Sequence, residues 1–123
     1  MIGIIDYGTS NFVSLTNALQ DTDLSYEFIT DKTPLNRFDK FIFPGVGSFD
    51  YCINELRKKK WLEELADKVL NDQIPLLGIC IGFHLLMSES EEGNLKGLGW
   101  IEGKIEKIKP VERTFKVPHV GWS

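Results

Sequence analysis

Residues 74–86 read Ile-Pro-Leu-Leu-Gly-Ile-Cys-Ile-Gly-Phe-His-Leu-Leu, with one cysteine between two glycines where one apolar run passes into another. The pattern Gly78-Ile79-Cys80-Ile81-Gly82 is that of a nucleophile elbow. In such an elbow a strand turns sharply into a helix and presents a reactive side chain at the sheet edge. Glycine is needed at 78 and 82 because a Cβ at either position would crowd the helix against its strand. The N–H of Ile81, next along the chain, is expected to point toward an oxyanion formed on a substrate. The positive end of the following helix favours thiolate over thiol. A free cysteine is often only a small buried hydrophobe. Two flanking glycines, however, cost stability without a geometric reason, and they favour the chemical reading.

Pro44-Gly45-Val46-Gly47 is a glycine-rich loop directly after the apolar run Phe41-Ile42-Phe43. Backbone N–H groups in such a loop suit an anion. Beside a cysteine nucleophile that anion is the oxyanion of a tetrahedral intermediate. Taken alone, the loop is an ordinary tight turn. A thiolate nucleophile also needs a proton shuttle, usually histidine, and the chain has only His84 and His119. His84 lies one helical turn beyond Cys80 on the same helix, where its ring is poorly placed to receive the thiol proton. His119 belongs to Pro118-His119-Val120-Gly121-Trp122. A structural role is the default for both, and no Asp or Glu stands in an orienting relation to them. The residues therefore supply a nucleophile and an oxyanion loop without a convincing base.

The elements that must position these groups follow from hydrophobic period and turn chemistry. Ile2 to Ile5 reads as a buried strand, and Asp6 to Ser10 as a turn with N-cap residues. Phe12, Leu15 and Leu19 recur at helical spacing, and Leu24 to Ile29 alternates as a second strand. Asp31 to Arg37 is a polar loop, and Phe41 to Phe43 a third strand. Tyr51 to Leu70 is helical, with Lys58-Lys59-Lys60 as a solvated face or a break between two helices. Ile74 to Gly78 is the fourth strand, Ile81 to Met87 the helix after the elbow, and Ser88 to Asn94 an acidic loop. Trp100 to Ile108 alternates and predicts β-ribbon; Lys116 to Ser123 is a short end marked by Pro and Gly. Alternating strand and helix predicts a mainly parallel sheet with helices on both faces, a three-layer α/β fold. Sites in such sheets lie beyond the carboxyl ends of the strands. Residues 6–11, 44–47 and 80–82 all leave strands at that edge.

Composition excludes several function classes. The 123 residues suit one domain, 1–123. The net charge is −4, and no basic stripe offers itself to nucleic acid. Cys52 and Cys80 have neither metal-ligand spacing nor the pattern of a disulfide framework, so no metal or cofactor is expected, and a reducing cytoplasm fits best. Cys52 lies in an apolar helical stretch, so Cys80 is the thiol expected to react first. Met1 to Asp6 is too short and too uncharged for a signal peptide, and no stretch has the length of a membrane span.

These residues resemble the class I glutamine amidotransferase family. The resemblance is carried by Asp6-Tyr7-Gly8, Pro44-Gly45-Val46-Gly47, Gly78-Ile79-Cys80-Ile81-Gly82, Ser90-Glu91-Glu92-Gly93, Gly97-Leu98-Gly99-Trp100 and Pro118-His119-Val120-Gly121-Trp122, in the family's order. It implies a glutaminase whose Cys80 attacks the side-chain amide of glutamine and forms a thioester, with Val46, Gly47 and Ile81 as oxyanion donors. Glu92 matches a position that helps hold the substrate glutamine. His84 stands where the family usually has glutamine at a substrate contact, and Ser10 replaces a usual glycine. The resemblance further implies a heterodimer with a (βα)8-barrel cyclase that receives the ammonia in histidine biosynthesis. His119, Val120 and Trp122 then belong to the partner interface. Family members continue well past the Pro-His-x-Gly-Trp segment and take the catalytic histidine and its glutamate from there. The resemblance thus implies that residues 1–123 are the N-terminal portion of the domain, with the C-terminal part missing, and are inactive alone. Two further readings stay open: a related glutaminase–cyclase pair serving surface-sugar amidination, and a non-catalytic module that docks on the barrel. A small cysteine-elbow hydrolase unrelated to glutamine leaves the terminal Pro-His-Val-Gly-Trp segment unexplained.

Overall fold

Four apolar runs pair into one parallel sheet, seen in a computed structural model that describes residues 1–8 and 11–108. The strands are β1 (Ile2–Ile5), β2 (Tyr26–Ile29), β3 (Lys40–Phe43) and β4 (Leu76–Gly78), in the order β2-β1-β3-β4. The register sets Ile4 beside Phe28 on one side and Ile42 on the other, and Phe43 beside Gly78. The helices are α1 (Val13–Gln20), α2 (Phe49–Arg57), α3 (Leu62–Leu70) and α4 (Ile81–Leu86).

Side chains alternate across a strand, and here they divide into two clusters. Ile2, Ile4 and Ile42 pack with Leu19, Phe12 and Leu15 of the α1 region. Ile5, Phe41 and Phe43 pack with Phe49, Cys52, Ile53 and Leu56 of α2, Leu65 of α3, and Leu85 and Leu86 of α4. Helices therefore cover both faces, as the alternating pattern predicts. The second cluster is the larger, and it lies under the turns that carry the candidate site.

Three boundaries differ from the sequence expectation, and one choice it left open is decided. Helix α1 begins at Val13, and no side chain caps it from the N-cap position, Phe12. Instead Asn11 Oδ1 accepts the Val13 N–H at 3.1 Å, while Asp6 Oδ1 accepts the Gly8 N–H at 3.0 Å in an Asx turn. The polar loop 31–37 contains a 3-10 turn, Leu35–Arg37, because Leu35 is buried in the core. Of the two readings of Lys58-Lys59-Lys60, the break is the one present: the chain leaves helix between Arg57 and Leu62, where Trp61 turns inward. The acidic segment 88–94 is not all loop. Met87–Ser90 is a strand, β5, paired in parallel with β6 (Ile101–Ile105) and irregular between Met87 and Glu89. The ribbon predicted over 100–108 is thus present as β6, and its partner is the stretch whose charges disguised it. Thr9, Ser10 and the 116–123 end lie outside the described residues. Among the described residues no helix is long and apolar enough to cross a membrane.

Candidate active site

The elbow forms because two glycines let backbone cross backbone. A Cβ on Gly82 would collide with the Phe43 carbonyl oxygen and lie 2.9 Å from the Pro44 carbonyl carbon. A Cβ on Gly78 would lie 2.8 Å from Phe83 Cα. Gly78 thus lets α4 fold back on β4, whereas Gly82 lets α4 meet the end of the neighbouring strand, β3. Between them Cys80 adopts φ 54°, ψ −127°, a region that side-chain-bearing residues avoid and that costs about 1–3 kcal/mol. Its carbonyl accepts the Phe83 N–H at 2.9 Å and the His84 N–H at 3.2 Å, which starts the helix, while its side chain is exposed.

The Pro44–Gly47 loop is fastened alongside. The Ile79 N–H donates to the Phe43 carbonyl at 3.0 Å, and the buried Tyr7 hydroxyl donates to the Pro44 carbonyl at 2.9 Å. A Cβ on Gly45 would collide with that hydroxyl and lie 2.8 Å from the Gly82 nitrogen, so Gly45 has no room for a side chain. The Cys52 thiol donates to the Val46 carbonyl at 3.4 Å from inside the core. Gly47 takes φ 100°, open to glycine, and Ser48 then caps α2, its Oγ accepting the Tyr51 N–H at 3.4 Å.

The Ile81 N–H departs from expectation. It donates to the Gly45 carbonyl at 3.3 Å rather than facing an open site. The first N–H groups of a helix have no partner within it, and the loop carbonyl fills that need. A cleft of about 280 Å³ opens here, lined by Asn11, Ser14, Val46 and Cys80 among others. A larger apolar cleft of about 360 Å³, lined by Ile2, Lys40 and Leu76, sits at the amino ends of the strands, away from the cysteine.

His84 is half-buried, with Nδ1 3.3 Å from Ser90 Oγ. That same oxygen accepts the Glu92 N–H at 3.1 Å, and the Glu92 side chain is exposed. His84 is therefore tied to the segment that carries Glu92. The structure brings Cys80 and Val46 to one cleft, bonds Ile81 to the same loop through Gly45, and joins His84 to the Glu92 segment through Ser90; Gly47 follows Val46 in the loop but does not line the cleft. His119, Val120 and Trp122 lie outside the described residues. One residue that sequence reasoning missed is Asp50, whose carboxylate accepts the Asn94 and Leu95 N–H groups, each at 2.9 Å on Oδ1. An acidic residue in a first helical turn reads only as a partner of the helix dipole. The glycine at 93, which packs on Asp50, was the available hint. Among the described residues no group of three or more His, Cys, Asp or Glu is placed to hold a metal ion.

A parallel sheet with a strained cysteine elbow beside a glycine-rich loop defines a class, and comparison with known proteins agrees: the chain belongs to the class-I glutamine amidotransferase family, whose model matches residues 3–123. It is similar to the imidazole glycerol phosphate synthase subunit HisH 2 of Methanococcus maripaludis, 43% identical over 123 residues that cover 100% of this chain and 60% of the relative. It is 38% identical to the subunit HisH of Leptospira borgpetersenii, over 125 residues that cover 100% of this chain and 61% of the relative. The corresponding protein of Bacillus licheniformis is 41% identical over 127 residues, 100% of this chain and 59% of the relative. The chain thus spans about three-fifths of the length of the curated relatives it matches.

Proposed function

We propose that the whole protein is the glutaminase subunit of an imidazole glycerol phosphate synthase, working in the cytoplasm beside a (βα)8-barrel cyclase. The observation that carries this reading is Cys80 at φ 54°, ψ −127°, on a turn that Gly82 seats against the start of the Pro44–Gly47 loop. The names of the relatives supply the pathway. Cys80 Sγ attacks the side-chain carbonyl carbon of glutamine, the thiol proton is transferred to the amide nitrogen, the C–N bond breaks, and ammonia leaves. Water then cleaves the thioester to glutamate and restores the thiol. The ammonia passes to the cyclase.

The oxyanion needs donors at the moment of attack. Val46 N–H and Gly45 C=O belong to one planar peptide unit and point in opposite directions. While the Gly45 carbonyl accepts from Ile81, the Val46 N–H faces away from the Ile81 donor. Rotating that single peptide withdraws the carbonyl, releases the Ile81 N–H and turns the Val46 N–H inward, so both donors appear together. Gly45 has the backbone freedom for such a rotation, and the neighbouring carbonyls of Pro44 and Val46 stay held by Tyr7 and Cys52. Gly47 follows in the same loop as a further donor, and Glu92 with His84 would hold the substrate's amino-acid end.

The test is ammonia release from glutamine by the full-length protein together with its cyclase partner. Turnover that Cys80→Ala abolishes supports the reading; turnover that survives Cys80→Ala removes the cysteine mechanism. A second reading, a docking module without turnover, draws on the Gly45 carbonyl that occupies the Ile81 N–H. Complex formation with no glutamine hydrolysis would favour it.

A further inference from the structure

Asp50 stands in the first turn of α2, three residues past Gly47. Its Oδ1 accepts the Asn94 N–H at 2.9 Å and the Leu95 N–H at 2.9 Å, and its Oδ2 is 3.1 Å from the same Asn94 nitrogen. Gly93 lies directly on this turn. A Cβ there would collide with Asp50 Oδ1 and lie 2.7 Å from Cδ1 of the fully buried Phe49. The other end of the segment is held by Ser90. Its Oγ accepts the Glu92 N–H at 3.1 Å, its carbonyl accepts the Gly93 N–H at 3.2 Å, and the Oγ also meets His84 Nδ1 at 3.3 Å. Glu92 therefore sits on a short bridge with one foot on α4 and one on α2.

We propose that Asp50 is a positioning residue for Glu92, acting through the backbone of residues 93–95. This rests on the reading that Glu92 holds the substrate glutamine. A carboxylate receiving backbone N–H groups makes stronger hydrogen bonds than a neutral acceptor. Two such bonds fix the backbone next to Glu92 before any ligand arrives, and binding then pays less ordering entropy. The same helical turn follows the Pro44–Gly47 loop through the Ser48 cap. The substrate-holding segment and the oxyanion loop are thereby referred to one rigid element.

The experiment uses the full-length protein and its Asp50→Ala and Asp50→Asn variants. It reads three quantities: the rate at which iodoacetamide alkylates Cys80, the glutamine concentration that halves this rate, and amide hydrogen exchange at Asn94 and Leu95. Asp50→Ala is expected to raise the half-protecting glutamine concentration about tenfold, to speed exchange at Asn94 and Leu95, and to leave unprotected alkylation within about twofold. Asp50→Asn keeps one accepting oxygen but loses the charge and sets an NH2 donor where Oδ2 accepts the Asn94 N–H at 3.1 Å, so it should fall between the wild type and Asp50→Ala on protection and exchange. An Asp50→Ala protein as well protected by glutamine as the wild type overturns the positioning role alone. So does exchange at Asn94 and Leu95 that Asp50→Ala leaves unchanged, since the role runs through those two N–H groups. A wild type that glutamine does not protect overturns the glutaminase reading and this proposal with it.

Discussion

The crossing of residues 44–47 with 78–82 and the ribbon of β5 and β6 are held in opposite ways. At the crossing, backbone touches backbone, Gly45 and Gly82 have no space for a side chain, and Tyr7 and Cys52 anchor carbonyls from a fully buried position. In the ribbon, β6 is exposed along most of its length, and Ile101 keeps 47% of its surface in solvent. The ribbon is held by its ladder and by surface ion pairs such as Lys96–Glu89, which ties the 96 turn to β5. Conformational strain can persist only where surrounding packing over-determines it, and the strained residue of this chain that carries chemistry, Cys80, stands at the crossing. The Ser90–Leu95 segment links the two regions, leaving the ribbon at Ser90 and reaching α2 through Asp50.

The contrast predicts a steep gradient in mutational cost. Phe49→Ala should have the largest effect. The ring is fully buried in the larger cluster and lies against Gly93, so its loss should cost about 4 kcal/mol. Urea unfolding of the full-length protein would measure it, and a cost below about 1 kcal/mol would mean that the crossing is not packed as described. Gly82→Ala comes next. The added Cβ must displace the Phe43 carbonyl, at about 3 kcal/mol, the upper end for overpacking. It should also slow iodoacetamide alkylation of Cys80, because the turn itself must move. Ile101→Thr in the ribbon should stay within about 0.5 kcal/mol, as for other exposed positions; a cost comparable to Gly82→Ala would erase the contrast.

The smallest expected effect is a pH dependence in the ribbon. The hydrogen bond from Lys96 holds the Glu89 carboxyl below its ordinary value, helped by the Lys96 charge, opposed by partial burial, and helped least by Lys104. A lowered carboxyl pKa stabilises the folded state above the unfolded value, and the contribution disappears as pH falls through the lower folded value. Both side chains are largely in solvent, so the effect should be slight and screened by salt. Lys96→Met should therefore change stability slightly at neutral pH and not at all in strong acid. An equal change at both would assign the effect to packing of the lysine stem.

The elbow was legible in the sequence because its geometry leaves no choice of residue. Where Gly78 and Gly82 must let backbone pass, glycine is written into the chain. The parallel sheet was legible for a similar reason: Ile2 to Ile5 and Phe41 to Phe43 are buried on both faces and read as unbroken apolar runs. Strand β5 was not. Met-Ser-Glu-Ser has no β-branched or aromatic side chain to argue for a strand, and its order comes from pairing with β6. Neither the Gly45 carbonyl on Ile81 nor the Asp50 carboxylate on residues 94 and 95 has a local signature. Each joins segments that are dozens of residues apart and is set by tertiary approach.

The central claim, that Cys80 is a nucleophile built to meet glutamine, is tested most directly by mass spectrometry of the full-length protein after brief exposure to a chloroketone analogue of glutamine, with and without excess glutamine. One adduct is expected on Cys80 and none on the buried Cys52, with loss of the adduct when glutamine competes. Labelling of Cys52 as fast as Cys80, or labelling of Cys80 that glutamine leaves untouched, would contradict it.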